Sequence, residues 1–170
     1  MTSGEIGRAV IVAGSGSDKE HVDRIAKSLE SYGVPYEVRV CSAHKQPLDC
    51  LNLMSELNAR RSPLVVIAVA GGTDALSGTL SWGLYHPVIS CPPEGVENQS
   101  PLHNPSGSSN ATIYRPDNVG RFVAQMYAHH NPALLQGITQ INGSKIEALK
   151  KADSDMRDEY GRASRGGIGV

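Results

Sequence analysis

Residues 8–18 impose the tightest constraint on how this chain can fold. Ala9, Val10, Ile11, Val12 and Ala13 form an uninterrupted apolar run, and Gly14, Ser15, Gly16, Ser17 and Asp18 follow at once. A short β-branched run that ends in small residues and passes into a helical pattern predicts a buried strand, a tight loop and a helix amino terminus. Such a junction favours anions, because the first helical N–H groups lack internal partners and carry the positive end of the macrodipole. Ser15 and Ser17 add hydroxyl donors, and Asp18 can cap the helix or accept from a ribose hydroxyl. Two phosphate-loop classes are excluded. Lys19 stands where a dinucleotide fingerprint needs its third glycine, and no Gly-Lys-Ser/Thr follows as a Walker A loop requires.

The remainder of the chain repeats this unit. Val22, Ile25, Ala26 and Leu29 recur at helical spacing over 18–31, and Gly33 and Pro35 end the helix. A second strand spans 36–41 and runs into Ser42, Ala43, His44, Lys45, Gln46 and Pro47, after which Leu48, Leu51, Met54 and Leu57 mark a second helix. A third strand, 64–70, is apolar throughout, as a parallel strand covered on both faces should be. Gly71, Gly72, Thr73 and Asp74 lead into a helix over 75–84, a strand over 86–90, a long polar loop, a short strand over 111–114 and a helix over 117–130. Five alternations predict an α/β fold, a doubly wound parallel sheet. Pro132 opens an appended C-terminal helical region to about 160, with a break expected near Asn142 and Gly143, and a disordered tail over 161–170.

Size and charge narrow the class. A chain of 170 residues suits one domain, here 1–160, and its net charge of -1 offers no field toward nucleic acid or an anionic membrane. No window approaches a membrane span and the first eight residues lack a secretory core, so the expectation is a cytoplasmic protein. Cys41, Cys50 and Cys91 are odd in number and lack C-x-x-C spacing, which argues against a disulfide framework or zinc site. Cys91 reads as a buried, inert thiol. No metal-ligand spacing occurs among His, Asp and Glu, and no cofactor is expected.

Ligands of open parallel sheets bind beyond the carboxyl ends of the strands. The loops 14–18, 42–47 and 71–74 leave such ends, and 104–109 precedes the fifth strand. His44, beside Lys45, is the residue best suited to move protons near neutral pH, whereas His21, His86, His129 and His130 read as surface or structural.

Taken together, Gly14-Ser15-Gly16-Ser17-Asp18, Ser42-Ala43-His44-Lys45 with Pro47, Val69-Ala70-Gly71-Gly72, Pro87-Val88-Ile89-Ser90-Cys91-Pro92-Pro93 and Pro105-Ser106-Gly107 resemble the aminoimidazole ribonucleotide carboxylase family of purine biosynthesis. The resemblance covers about 8–160. It implies a flavodoxin-like three-layer fold, a homo-octamer joined in part by C-terminal helices, and a nucleotide substrate with carbon dioxide. By this resemblance His44 is the general acid/base at imidazole C4. Ser15, Ser17 and Asp18 hold the phosphate and ribose, Lys45 assists at the phosphate, and Gly16, Ser42 and Ala43 are further substrate-binding residues. Gly71 and Gly72 let the backbone approach the carboxyl group or carbon dioxide, Ser106 and Gly107 close over the ring, and Asp74 is a further substrate-binding position. Lys45 and residues 87–93 are nearer the branch that uses carbon dioxide than the branch that rearranges the N5-carboxylated nucleotide.

Two departures from that branch stand out. It reads Ala-Gly-Arg-Ser-Asn where this chain has Ala70-Gly71-Gly72-Thr73-Asp74, and it carries Arg where His103 stands. Each lost charge-assisted hydrogen bond is worth about 1.5–3 kcal/mol. Two further readings therefore stay open: a divergent member acting on another heterocyclic nucleotide or nucleoside, and a noncatalytic nucleotide-binding protein.

Overall fold

A computed structural model describes residues 7–93, 95 and 99–165, with side chains described through residue 161. The apolar runs become the strands β1 (Arg8–Ala13) and β3 (Leu64–Val69), which pair in parallel at the centre of the sheet with Ile11 opposite Ile67. Beyond them lie β2 (Tyr36–Val40) on one side and β4 (Val88–Ser90) and β5 (Ala111–Thr112) on the other. The order β2-β1-β3-β4-β5, parallel throughout, is the flavodoxin-like arrangement.

Period-two alternation along β1 splits the interior into two cores. Ala9, Ile11 and Ala13 face α1 (Lys19–Ser31), α4 (Val119–Tyr127) and the first turns of α5 (Pro132–Arg165), where Ile25, Leu29, Val123 and Leu134 are buried. Val10 and Val12 face α2 (Pro47–Asn58) and α3 (Ala75–Gly83), against Leu57 and Leu80. The result is a three-layer α/β sandwich with a C-terminal helix appended.

Several boundaries differ from the sequence expectation. The fourth strand begins at Val88, because Pro87 has no N–H to donate and contributes only its carbonyl, to Val66 N–H at 2.9 Å. The fifth pairs over two residues rather than four, and the helix expected from 117 starts with a 3₁₀ turn, Pro116–Asn118. The break expected near Asn142 and Gly143 does not occur. Glycine costs about 1 kcal/mol inside a helix, which weakens α5 without ending it. The helix runs unbroken for 34 residues, and from 143 to 161 every residue is exposed. It passes through Gly161, where a tail was expected; residues 166–170 of that tail lie outside the described residues.

Candidate functional site

The carboxyl ends of β1, β2 and β3 surround a cleft of about 180 Å³. In this strand order the chain leaves β1 toward one edge and returns to β3 on the other side, so the loops after β1 and β3 diverge and leave a crevice between them. Gly14, Ser15 and Asp18 form one wall, Ser42, Ala43 and His44 a second, and Ala70, Gly71, Thr73, Ala75 and Leu76 the third.

Each wall is held by its own local bonds. Gly14 N–H donates to Val69 C=O at 2.8 Å, tying the first loop to the third strand. Ser15 has extended backbone (φ -152°), and its Oγ caps the 3₁₀ turn Gly16–Asp18 by accepting Ser17 N–H at 3.2 Å. The Ser15 and Ser17 hydroxyls lie 2.8 Å apart. Asp18 precedes α1 without bonding a helix N–H through its side chain, so its carboxylate is left to the cleft. In the second loop Ser42 Oγ accepts Lys45 N–H at 3.2 Å and Ser42 C=O accepts Gln46 N–H at 2.8 Å. That tight turn presents His44, exposed, before Pro47 starts α2. Beneath it Cys41 and Cys50 are buried; desolvation raises both thiols, Cys50 up to about 11, which leaves them protonated and inert.

The cleft holds one acid, Asp18, and one imidazole, His44, with apolar cover from Ala43, Ala70, Ala75 and Leu76. No Lys or Arg is among its described lining residues. A carboxylate, a hydroxyl and a proton carrier around a half-apolar crevice suit recognition of a polyhydroxylated ligand and one proton transfer on its ring. Among the described residues no group of three or more His, Cys, Asp or Glu could hold a metal ion, and no helix is long and apolar enough to cross a membrane.

Several residues expected at the site stand elsewhere. Asp74 is 5 % exposed and turned inward: its carboxylate accepts Ser77 N–H at 2.8 Å, Ser77 Oγ at 2.6 Å and Ser90 Oγ at 3.1 Å. It caps α3 rather than facing the cleft. Ser106 and Gly107 do not lie over it either, because their loop folds back on α3. Ser108 Oγ lies 2.6 Å from Ser81 Oγ and donates to Gly78 C=O at 3.2 Å, and Gly107, at φ +88°, lies against the Trp82 ring. Gly16, Lys45 and Gly72 belong to the three loops without lining the cleft, and Ser17 lines an adjoining one. Gly72 has φ +65°, a left-handed turn that glycine takes without strain.

That second cleft, of about 300 Å³, shares Asp18 and is bordered by Ser17, Glu20, His21, Arg24 and Pro93. Of these residues, Ser17 and Asp18 are expected at a site from the sequence, whereas Glu20, His21 and Arg24 are not. His21 fits no periodic polar face, and a polar residue at a core-facing helix position was the available signal. Leu76 and Ala75 were also missed as lining, since they read simply as the start of a helix.

The family model for AIR carboxylase matches residues 8–148. A phosphoribosylaminoimidazole carboxylase of Archaeoglobus fulgidus is 31% identical over 159 residues, covering 91% of this chain and 87% of that protein. The corresponding carboxylase of Treponema denticola is 29% identical over 153 residues, 87% of this chain and 96% of that one. A bifunctional phosphoribosylaminoimidazole carboxylase/phosphoribosylaminoimidazole succinocarboxamide synthetase of Rattus norvegicus is 35% identical over 159 residues, 89% of this chain. The chain spans about 37% of the length of that bifunctional relative. Among solved structures, Treponema denticola PurE superposes with a TM-score of 0.83 at 27% identity, covering 89% of this chain and 99% of that one.

Proposed function

The chain belongs to the AIR carboxylase family of purine biosynthesis, and from that premise we propose that it reversibly carboxylates 5-aminoimidazole ribonucleotide at C4 with carbon dioxide. The observation that carries this reading is the convergence of Ser15, Asp18 and His44, from two separate loops, on one crevice beside Gly71.

The residues divide the work as follows. Ser15 and Ser17 hydroxyls and the positive amino-terminal end of α1 receive the phosphate. Asp18 accepts from the ribose hydroxyls, and Lys45, next to His44, adds charge at the phosphate. The electron-rich C4 attacks the carbon of carbon dioxide, forming the new C–C bond. His44 then takes the C4 proton and aromaticity returns; in reverse it protonates C4 as carbon dioxide departs. Gly71 and Gly72 let the backbone approach the carboxyl group. Holding ring and carbon dioxide together in a crevice lined by Ala70, Ala75 and Leu76 supplies the positioning and exclusion of water that this addition needs. Asp74, whose carboxylate is taken up by Ser77 and Ser90, supports the site through α3.

We place the working enzyme in the cytoplasm as a homo-octamer. The exposed half of α5 supports assembly: Ile146, Leu149, Met156 and Tyr160 are all more than half exposed in the single chain. Ser106 and Gly107, which stand away from their own cleft, are then available to a neighbouring one.

A second reading is favoured by the lack of Lys and Arg among the described lining residues: a family member acting on a different heterocyclic nucleotide or nucleoside. Ultraviolet detection of reversible carboxylation decides between them. The protein is mixed with aminoimidazole ribonucleotide and bicarbonate, and separately with the 4-carboxylated product, with His44→Ala as control. Turnover above the control supports the first reading. A folded, inactive protein that binds another nucleotide supports the second, and unchanged nucleotide affinity in an equally inactive His44→Ala pair points to a binding protein.

A further inference from the structure

His21 is 7 % exposed, and its Nε2 lies 3.2 Å from the Cys91 carbonyl oxygen and 3.4 Å from Cys91 Sγ. Cys91 is fully buried just beyond β4, where its N–H donates to Ala68 C=O at 2.9 Å. His21 belongs to the first turn of α1, three residues after Asp18. One ring therefore reaches over β3 and joins the start of α1 to the end of β4.

We infer that His21 is a positioning residue: by bonding Cys91 it sets the rotation of the first turn of α1, and so fixes where Asp18 and Ser17 stand in the nucleotide site. The inference rests on the proposed function for the identity of the ligand, but not for the tether itself. Val22, Ile25 and Leu29 hold the body of α1 through apolar contact, which is non-directional, and Arg24 and Ser28 bond Asp117 and Gly120 farther along the helix; His21 supplies a directional tie in the first turn. A hydrogen bond is directional and weakens steeply off axis. With its proton on Nε2, His21 donates to the Cys91 carbonyl, and the thiol lies alongside the ring. A leucine would fill this place without a polar group to satisfy, whereas the buried imidazole brings a polar group that the Cys91 carbonyl engages. His21 also borders the second cleft together with Ser17 and Asp18, the residues the tether orients.

The test uses the full chain with His21→Gln, whose amide can still reach Cys91, His21→Leu, which has similar bulk and no donor, and His21→Asn, whose amide falls short. Two quantities are measured: amide hydrogen exchange across residues 19–23 without ligand, and KM and kcat for aminoimidazole ribonucleotide with bicarbonate. In His21→Leu we expect exchange at least tenfold faster and KM raised at least tenfold with kcat within threefold. His21→Gln should return both to within threefold of the parent. If His21→Leu does not fold, His21→Asn against His21→Gln makes the same comparison. Unchanged exchange in the donor-less variants, equal impairment in His21→Gln, or a loss confined to kcat overturns the proposal. A parent protein that exchanges as expected but does not turn over this nucleotide defeats the proposed function alone, and the exchange contrast then decides the tether.

Discussion

Asp74 receives both the amide and the hydroxyl of Ser77, at 2.8 and 2.6 Å, and so closes the amino terminus of α3 from inside the protein. Replacing a capping Asp costs roughly 0.5–2 kcal/mol, and here two buried hydroxyls, Ser77 and Ser90, also lose their acceptor. Asp74→Ala should therefore lower unfolding stability by about 2–3 kcal/mol in urea titration. A loss below about 0.5 kcal/mol, the range of surface substitutions, would show that the carboxylate carries no structural role.

His44→Ala should leave the urea midpoint unchanged, since the side chain is exposed, and should lower kcat for carboxylation at least 100-fold, the low end of general acid/base effects. A fall of less than tenfold removes His44 as the proton carrier.

Gly72 holds a left-handed turn at φ +65°, where a side chain costs about 1–2 kcal/mol. Gly72→Ala should destabilise the protein by about 1 kcal/mol, whereas Gly16→Ala, with open space around the added carbon and no positive φ, should stay within about 0.5 kcal/mol. The same strain meets an arginine at position 72, so restoring that guanidinium by Gly72→Arg should cost comparable stability. Denaturant titration of the three variants checks the ordering.

Gly120 lets α4 meet α1 backbone to backbone: a Cβ there would sit 2.1 Å from Ser28 C=O, while Gly120 N–H donates to Ser28 Oγ at 2.9 Å. Gly120→Ala forces the helices apart and should cost at least 1–3 kcal/mol, about the usual penalty of overpacking. Thermal melting near that of the parent would contradict the close approach.

Burial raises Cys50 from 9.0 to about 11 in the folded chain, so above pH 9 the folded state keeps a proton that the unfolded state releases. Its contribution is complete below pH 9 and is lost as pH rises through about 11. Stability should thus fall across that window, and Cys50→Ala should flatten part of the slope. An identical slope in the variant would refute the assignment.

Much of this architecture is legible in local patterns. The buried runs 9–13 and 64–69, the small residues after them and the helical spacing of Val22, Ile25 and Leu29 depend on near neighbours in the chain, and the structure follows them. Short strands are less legible: β4 and β5 take their lengths from pairing with strands distant in sequence. The unbroken course of α5 past Gly143 is of the same kind, since one weak residue sets a cost and the rest of the helix decides whether it is met.

The candidate site divides in the same way. Local pattern is enough to tell which loops leave the carboxyl ends of strands, and with them Ser15, Asp18, Ser42, His44 and Gly71, because backbone periodicity dictates where each strand stops. Side chains outside that rule take their direction from contacts made on folding. Asp74 turns inward because Ser90, sixteen residues on, offers it a buried hydroxyl. The 106–108 loop folds onto α3 because Ser108 finds Ser81 and Gly78 there. His21 meets Cys91 across seventy residues and an intervening strand. Each of these depends on a partner that adjoins it only after the sheet has formed, and no local spacing encodes such a pair.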